Sequence, residues 1–161
     1  MTNQANTDLR SVPELDDLQG YPSWMSVVKT YALCQKLLST KLGHLGLSLA
    51  QYEVLLAVYR EEAVSQKRLA SRLLVTKSNV TAMLERMERE GWVTRTPHPD
   101  DARSRCVSTT RLGRDLLKRG VEAQAAVVRI MTGELSAAQM EAIREVMRTV
   151  GRDLERALEA P

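Results

Sequence analysis

The sequence predicts a mainly α chain with a small β-wing, an α+β fold, and three observations carry that reading. Apolar residues recur every three to four positions through most of the 161 residues. One stretch, 92–109, changes period and becomes rich in β-branched residues. Two Ser-x-x-Gln capping boxes, at Ser48 and Ser136, mark where helices start.

Residues 1–20 read as a flexible acidic tail, in which Asp8, Glu14, Asp16 and Asp17 surround few apolar positions and Pro13 and Gly20 act as punctuation. From Tyr21 a helical pattern begins, with Trp24, Val27 or Val28, Tyr31, Cys34, Leu38, Leu42 and Leu45 on one face, and Gly43 and Gly46 loosen its end. The box Ser48-Leu49-Ala50-Gln51 then opens a helix that runs through about Arg60. Residues 63–65 form either a strand pair or a turn. A short helix follows over 66–74, with Leu69, Ala70 and Leu73 inward, and Val75-Thr76 turns the chain. Thr76 or Ser78 caps a longer helix, 77–90, whose buried face is Val80, Met83, Leu84 and Met87. Gly91 ends it as a left-handed residue.

Residues 92–96 and 105–109 read as two strands joined by the loop 97–104, which makes a hairpin with a long charged tip. Thr110 caps a helix running through about Met131. After the box at Ser136, Met140, Ile143, Met147, Val150, Leu154 and Leu158 draw one apolar stripe along the last helix. That stripe needs a partner. The first helix and the last two are expected to pack together and against a second subunit, a wholly intramolecular bundle being the alternative.

Short helix, tight turn, helix and hairpin in that order make a winged helix-turn-helix, here flanked by N- and C-terminal dimerisation helices. The division is a tail over 1–20, an N-terminal dimerisation helix over 21–47, the winged core over 48–109 and C-terminal dimerisation helices over 110–161. Such a core holds its second helix rigidly while the other face stays polar, so that it can enter a major groove about 12 Å wide. The polar face offers Lys77, Ser78, Asn79, Thr81, Ala82 and Glu85. Asn79 suits an adenine edge, Ser78 and Thr81 suit bases or phosphates, and Lys77 suits phosphate, whereas Glu85 is expected to be solvated.

Charge agrees with this division. The net charge is only +3, yet residues 65–119 hold 13 Lys and Arg against 6 Asp and Glu, and the remainder is net acidic. A polyanion is drawn to the middle of the chain and repelled by its ends. Other classes lack their signatures. No apolar run approaches the length of a membrane span, and the N-terminus lacks the basic and apolar regions of a signal peptide, so a cytoplasmic chain is expected. Cys34 and Cys106, with His44 and His98, have no zinc-ligand spacing, and no nucleophile and base, carboxylate pair or phosphate-cradling Gly loop stands out; neither an enzyme nor a cofactor is expected.

The stretches 69–81 (LASRLLVTKSNVT) and 84–95 (LERMEREGWVTR), then Asp101-Ala102-Arg103, Val107 and Thr110-Arg111-Leu112-Gly113-Arg114, resemble the MarR family of bacterial transcription regulators. The D-x-R wing followed by T-x-x-G-R is the specific part. The resemblance implies a homodimer, with Arg103 reaching a minor groove and Asp101 bracing the wing against Arg86. A narrow minor groove concentrates negative potential and favours guanidinium, which agrees. The DNA-facing set is then Lys67, Thr76, Lys77, Ser78, Asn79, Thr81, Ala82, Arg86, Arg103 and Arg105, with Asp101 as wing brace. Two positions depart from the family pattern, Leu74 in the turn and Thr109 before the motif Thr110.

The function expected is a sequence-specific, DNA-binding repressor that acts as a homodimer on a pseudo-palindromic operator of double-stranded DNA. It would be bacterial and nucleoid-associated when bound. Family members often sense small phenolic or aromatic acids, or oxidants, in a cleft between the dimerisation helices and the DNA-binding lobe. No residue here identifies a ligand: Trp24, Tyr21 and Tyr31 fit core or interface, and His44 fits an exposed loop. Two readings compete with the repressor. One is a redox-responsive regulator using Cys34, although that residue shares an apolar seam and fits the core, as Cys106 fits wing packing. The other is a helical protein-interaction module without operator binding.

Overall fold

The computed structural model describes residues 18–61, 63–66, 68–69, 77–98 and 101–160. Helix α1 spans Tyr21–Gly43 and α2 spans Leu49–Arg60, followed by the two-residue strand β1, Val64–Ser65. Gln66, Arg68 and Leu69 are helical, whereas Lys67, Ala70, Leu73, Leu74, Val75 and Thr76 lie outside the described residues. Helix α3 then runs over Lys77–Arg89, strands β2 and β3 over Val93–His98 and Asp101–Thr109, and helices α4 and α5 over Arg111–Thr132 and Ala137–Glu159. A mainly helical chain with a small antiparallel sheet is therefore what forms.

The helix starts follow from local chemistry. At the head of α2, the Gln51 N–H donates to Ser48 Oγ at 3.2 Å and the Ser48 N–H donates back to Gln51 Oε1 at 2.8 Å. Ser136 and Gln139 repeat the arrangement at α5. Each box supplies partners for backbone groups that a helix end otherwise leaves unmatched.

The sheet order is β1-β3-β2, all antiparallel, with Val64 opposite Val107 and Val93 opposite Thr109. Val64 and Ser65 thus form the strand pair, and Ala63 before them is a turn residue. Thr109 is accommodated as the last rung of β3. The hairpin is longer than expected: β2 continues to His98 and β3 begins at Asp101, so most of the loop anticipated over 97–104 lies in the two strands. The pairing shifts register between Pro97 and His98. Pro97 lacks an N–H, and its place on an edge strand at an irregularity is where a sheet tolerates that loss.

One apolar core joins these elements, with Leu42, Tyr52, Leu55, Leu69, Val80, Leu84, Met87, Val93 and Val107 inside it. Helices α1 and α2 both pack on α4. Gly120 of α4 lets them approach, because a Cβ there would stand 2.7 Å from the Tyr52 ring. The buried Tyr52 hydroxyl donates to Gln124 Oε1. Of the first helix and the last two, expected to pack together and against a second subunit, α1 and α4 do pack together within the chain. Helix α5 buries none of its residues, and Trp24, Val27 and Tyr31 in the first half of α1 are exposed. No described helix is long and apolar enough to cross a membrane.

Candidate nucleic-acid interface

Helix α3 is two-sided because its apolar residues fall at i, i+4 and i+7. Val80, Leu84 and Met87 are buried and Met83 is half-buried, while Ala82, Glu85, Arg86 and Arg89 are exposed on the other side. Thr81 lies between the two faces, half-buried. Lys77, Ser78 and Asn79 make the first turn of α3, and Asp101 and Arg103 lie on β3. The side chains of these five lie outside the described residues, as do Lys67 and Thr76 entirely. Arg105, on β3, is exposed.

The corner between α3 and the hairpin is tightly built. Gly91 has φ +72, the left-handed conformation that favours glycine. Its N–H donates to the Glu88 carbonyl at 2.9 Å, and the Trp92 N–H donates to the Met87 carbonyl at 2.9 Å, a Schellman closure. Thr110 then ties α4 to that corner: its Oγ1 donates to the Gly91 carbonyl at 2.6 Å and accepts from the Gly113 N–H at 3.0 Å. Arg114 Nη1 donates to the Thr109 carbonyl at 2.7 Å. The T-x-x-G-R segment is thus a joint, in which each named residue meets backbone of the corner or of the strand end.

A second joint links α3 to β2 and was not legible in the sequence. Arg95 Nε donates to Glu88 Oε2 at 2.8 Å, its Nη2 lies 2.7 Å from the same oxygen, and the Arg95 backbone N–H donates to Glu88 Oε1 at 3.2 Å. Its Nη1 stands 3.9 Å from Glu85 Oε1, so Glu85, expected to be solvated, also belongs to this cluster. These hydrogen bonds to Arg95 hold the Glu88 carboxyl below its ordinary range. The brace from helix to wing expected at Asp101 and Arg86 involves a side chain outside the described residues; the brace that is described joins Glu88 and Arg95. Spacing hid it, because the partners lie on elements of different period on either side of a turn.

Cys106 is buried between its strand neighbours, and Cys34 is half-buried against the core. Val58, Tyr59, Thr109 and Arg114 line a cleft of about 330 Å³ where α2, the end of β3 and α4 meet. Tyr21 and Trp24 line an open depression with Leu18 and Met25 instead, and His44 is exposed at the end of α1. Among the described residues no group of three His, Cys, Asp or Glu side chains is placed to hold a metal.

Residues 47–104 match the MarR family. An uncharacterized HTH-type transcriptional regulator of Bacillus cereus is 28% identical over 111 residues, which are 69% of this chain and 74% of its own. The structure of a mutant MarR from E. coli complexed with operator DNA is similar at a TM-score of 0.71 and 25% identity, over 83% of this chain and 98% of that one. That of Sco3205, a MarR family transcriptional regulator from Streptomyces coelicolor in complex with DNA, is similar at 0.72 and 25%, over 82% of this chain and 86% of that one.

Proposed function

Because the chain belongs to the MarR family of transcriptional regulators, we propose that it binds a pseudo-palindromic operator as a homodimer and represses by occluding polymerase. The observation that supports this best is the two-sided α3, locked to the core by Val80, Leu84 and Met87 while Ala82 and Arg86 stand open beside a paired hairpin. Helix α3 would enter the major groove, with Lys77, Ser78, Asn79, Thr81, Ala82 and Arg86 toward bases and phosphates. Lys67 and Thr76 would approach the backbone, and Arg103 and Arg105 of the wing the adjoining minor groove.

The dimer would form through residues that a single chain leaves in water. The stripe Ile143, Met147, Val150 and Leu154 on α5, with Trp24 and Tyr31 on α1, is apolar and exposed. Contiguous faces of that kind usually belong to an interface. Two-fold symmetry would set the α3 helices one DNA turn apart, about 34 Å. A small aromatic or phenolic acid in the cleft at Tyr59 and Arg114 would act as effector, since that cleft touches both the winged core and α4.

The test is a gel shift with duplex from the intergenic region upstream of the chain's own coding sequence. Operator binding predicts affinity that falls steeply with salt and exceeds that for a scrambled duplex. Equal affinity for all sequences, without salt dependence, would overturn it.

A further inference from the structure

Among the described residues, Arg95 stands apart from the other cations near α3. Its side chain is 13% exposed, whereas Arg86, Arg89 and Arg105 are open to solvent. All of its guanidinium nitrogens are directed at carboxylates of α3, Nε and Nη2 at Glu88 and Nη1 at Glu85. Its backbone N–H faces away from β3 and is taken by Glu88, so one carboxylate holds both the strand and the side chain. Strand β2 is a sheet edge. An edge N–H normally goes to water, and here it is spent on the helix.

The consequence is geometric. The other described links at this corner, the Gly91 turn and the Thr110 joint, lie at the near end of β2, and the Glu88–Arg95 pair braces the strand further along. Two guanidinium nitrogens converge on one Glu88 oxygen while the strand N–H takes the other, which holds the pair in place more fully than a single point charge would. Strand β2 continues from Arg95 to His98, roughly 10 Å at about 3.3 Å per residue, so a small shift at Arg95 becomes a larger displacement at the far end of the strand.

We propose that Arg95 is a positioning residue that holds the wing in register with α3, so that sequence discrimination depends on it while phosphate attraction does not. The proposal rests on the operator-binding reading. Arg95 itself touches no DNA in it, since its side chain is 13% exposed and its Nε and Nη2 are taken by Glu88.

The experiment compares wild type, Arg95→Lys and Glu88→Gln on two probes: a duplex selected from a randomised 24-bp library by the wild-type protein, and a scrambled duplex of the same composition. Circular dichroism melting confirms that each variant is folded; Glu88→Gln keeps the volume and serves where Arg95→Lys does not fold. Both variants should lose about tenfold in the ratio of selected to scrambled affinity, the scale of one lost base contact. Affinity for the scrambled duplex and the salt slope should stay as in wild type. Folded variants that keep the wild-type ratio would overturn the proposal alone, by reducing the pair to a structural contact. A salt slope flatter by about one in a further variant that removes the charge, Arg95→Gln, would also overturn it, because Arg95 would then be a phosphate ligand. A wild-type protein that selects no sequence would remove the operator-binding reading and the proposal with it.

Discussion

Gly113 lies directly beneath the Trp92 carbonyl: a Cβ on Gly113 would stand 2.0 Å from that oxygen. The first turn of α4 is therefore seated on the corner where α3 passes into β2, and the helix that leads away from the wing reports the corner's position. Gly113→Ala places a methyl against backbone that cannot swing aside. The expected loss is about 3 kcal/mol or more, at the upper end of overpacking costs, read as a lower urea midpoint at unchanged slope.

Thr110→Val keeps the β-branched shape and removes the hydroxyl. The Gly113 N–H loses its acceptor and the Gly91 carbonyl its donor. A lost N-cap of this kind costs about 1–2 kcal/mol, so the melting temperature should fall while the far-ultraviolet spectrum of the folded state is kept. An unchanged melting temperature would show that the corner holds without the hydroxyl.

Glu88 gives a pH signature. Its folded carboxyl is held below the ordinary 4.5, first by the side-chain hydrogen bond to Arg95. A depressed carboxylate contributes stability that is present above its unfolded value and is lost as pH falls through the folded one. Stability should therefore decline below about pH 4.5 with a contribution that Glu88→Gln abolishes. The effect is small because the pair is partly open to solvent. Parallel acid limbs for wild type and variant, in urea titrations at stepped pH, would count against it.

Leu154 is exposed on a helix that buries nothing within its own chain. Leu154→Glu should give a monomer in sedimentation velocity at concentrations where wild type is a dimer. The winged core should still melt cooperatively, since no core residue is disturbed. A dimer that survives this change and Ile143→Glu would place the subunit contact elsewhere.

Arg103→Ala should weaken binding to the selected duplex by about tenfold or more without unfolding the protein, as expected of a guanidinium in a narrow minor groove. Lys77→Gln should act differently, lowering affinity evenly across sequences and flattening the salt slope by about one. Fluorescence anisotropy at stepped salt separates the two.

What the sequence determined by itself was everything carried by short-range rules. Ser48 with Gln51, Thr110 with Gly113, Gly91 at φ +72 and the buried triplet Val80, Leu84 and Met87 were all legible, because caps, C-terminal glycines and helical spacing act within a few residues. The motif residues of the wing were legible as a pattern, though not the reason for Gly113, which is the carbonyl of a residue on another element. Hairpin length was not legible, since pairing past Pro97 depends on what β3 offers in return. Nor was the Glu88–Arg95 pair, whose members look like ordinary surface charges until the turn at Gly91 folds β2 back against α3. Tertiary structure alone decided that one arginine of the basic segment turns inward. Three carboxylate oxygens of Glu88 and Glu85 surround its donors there, and an ion pair across elements depends on where the chain is brought, which no local spacing records.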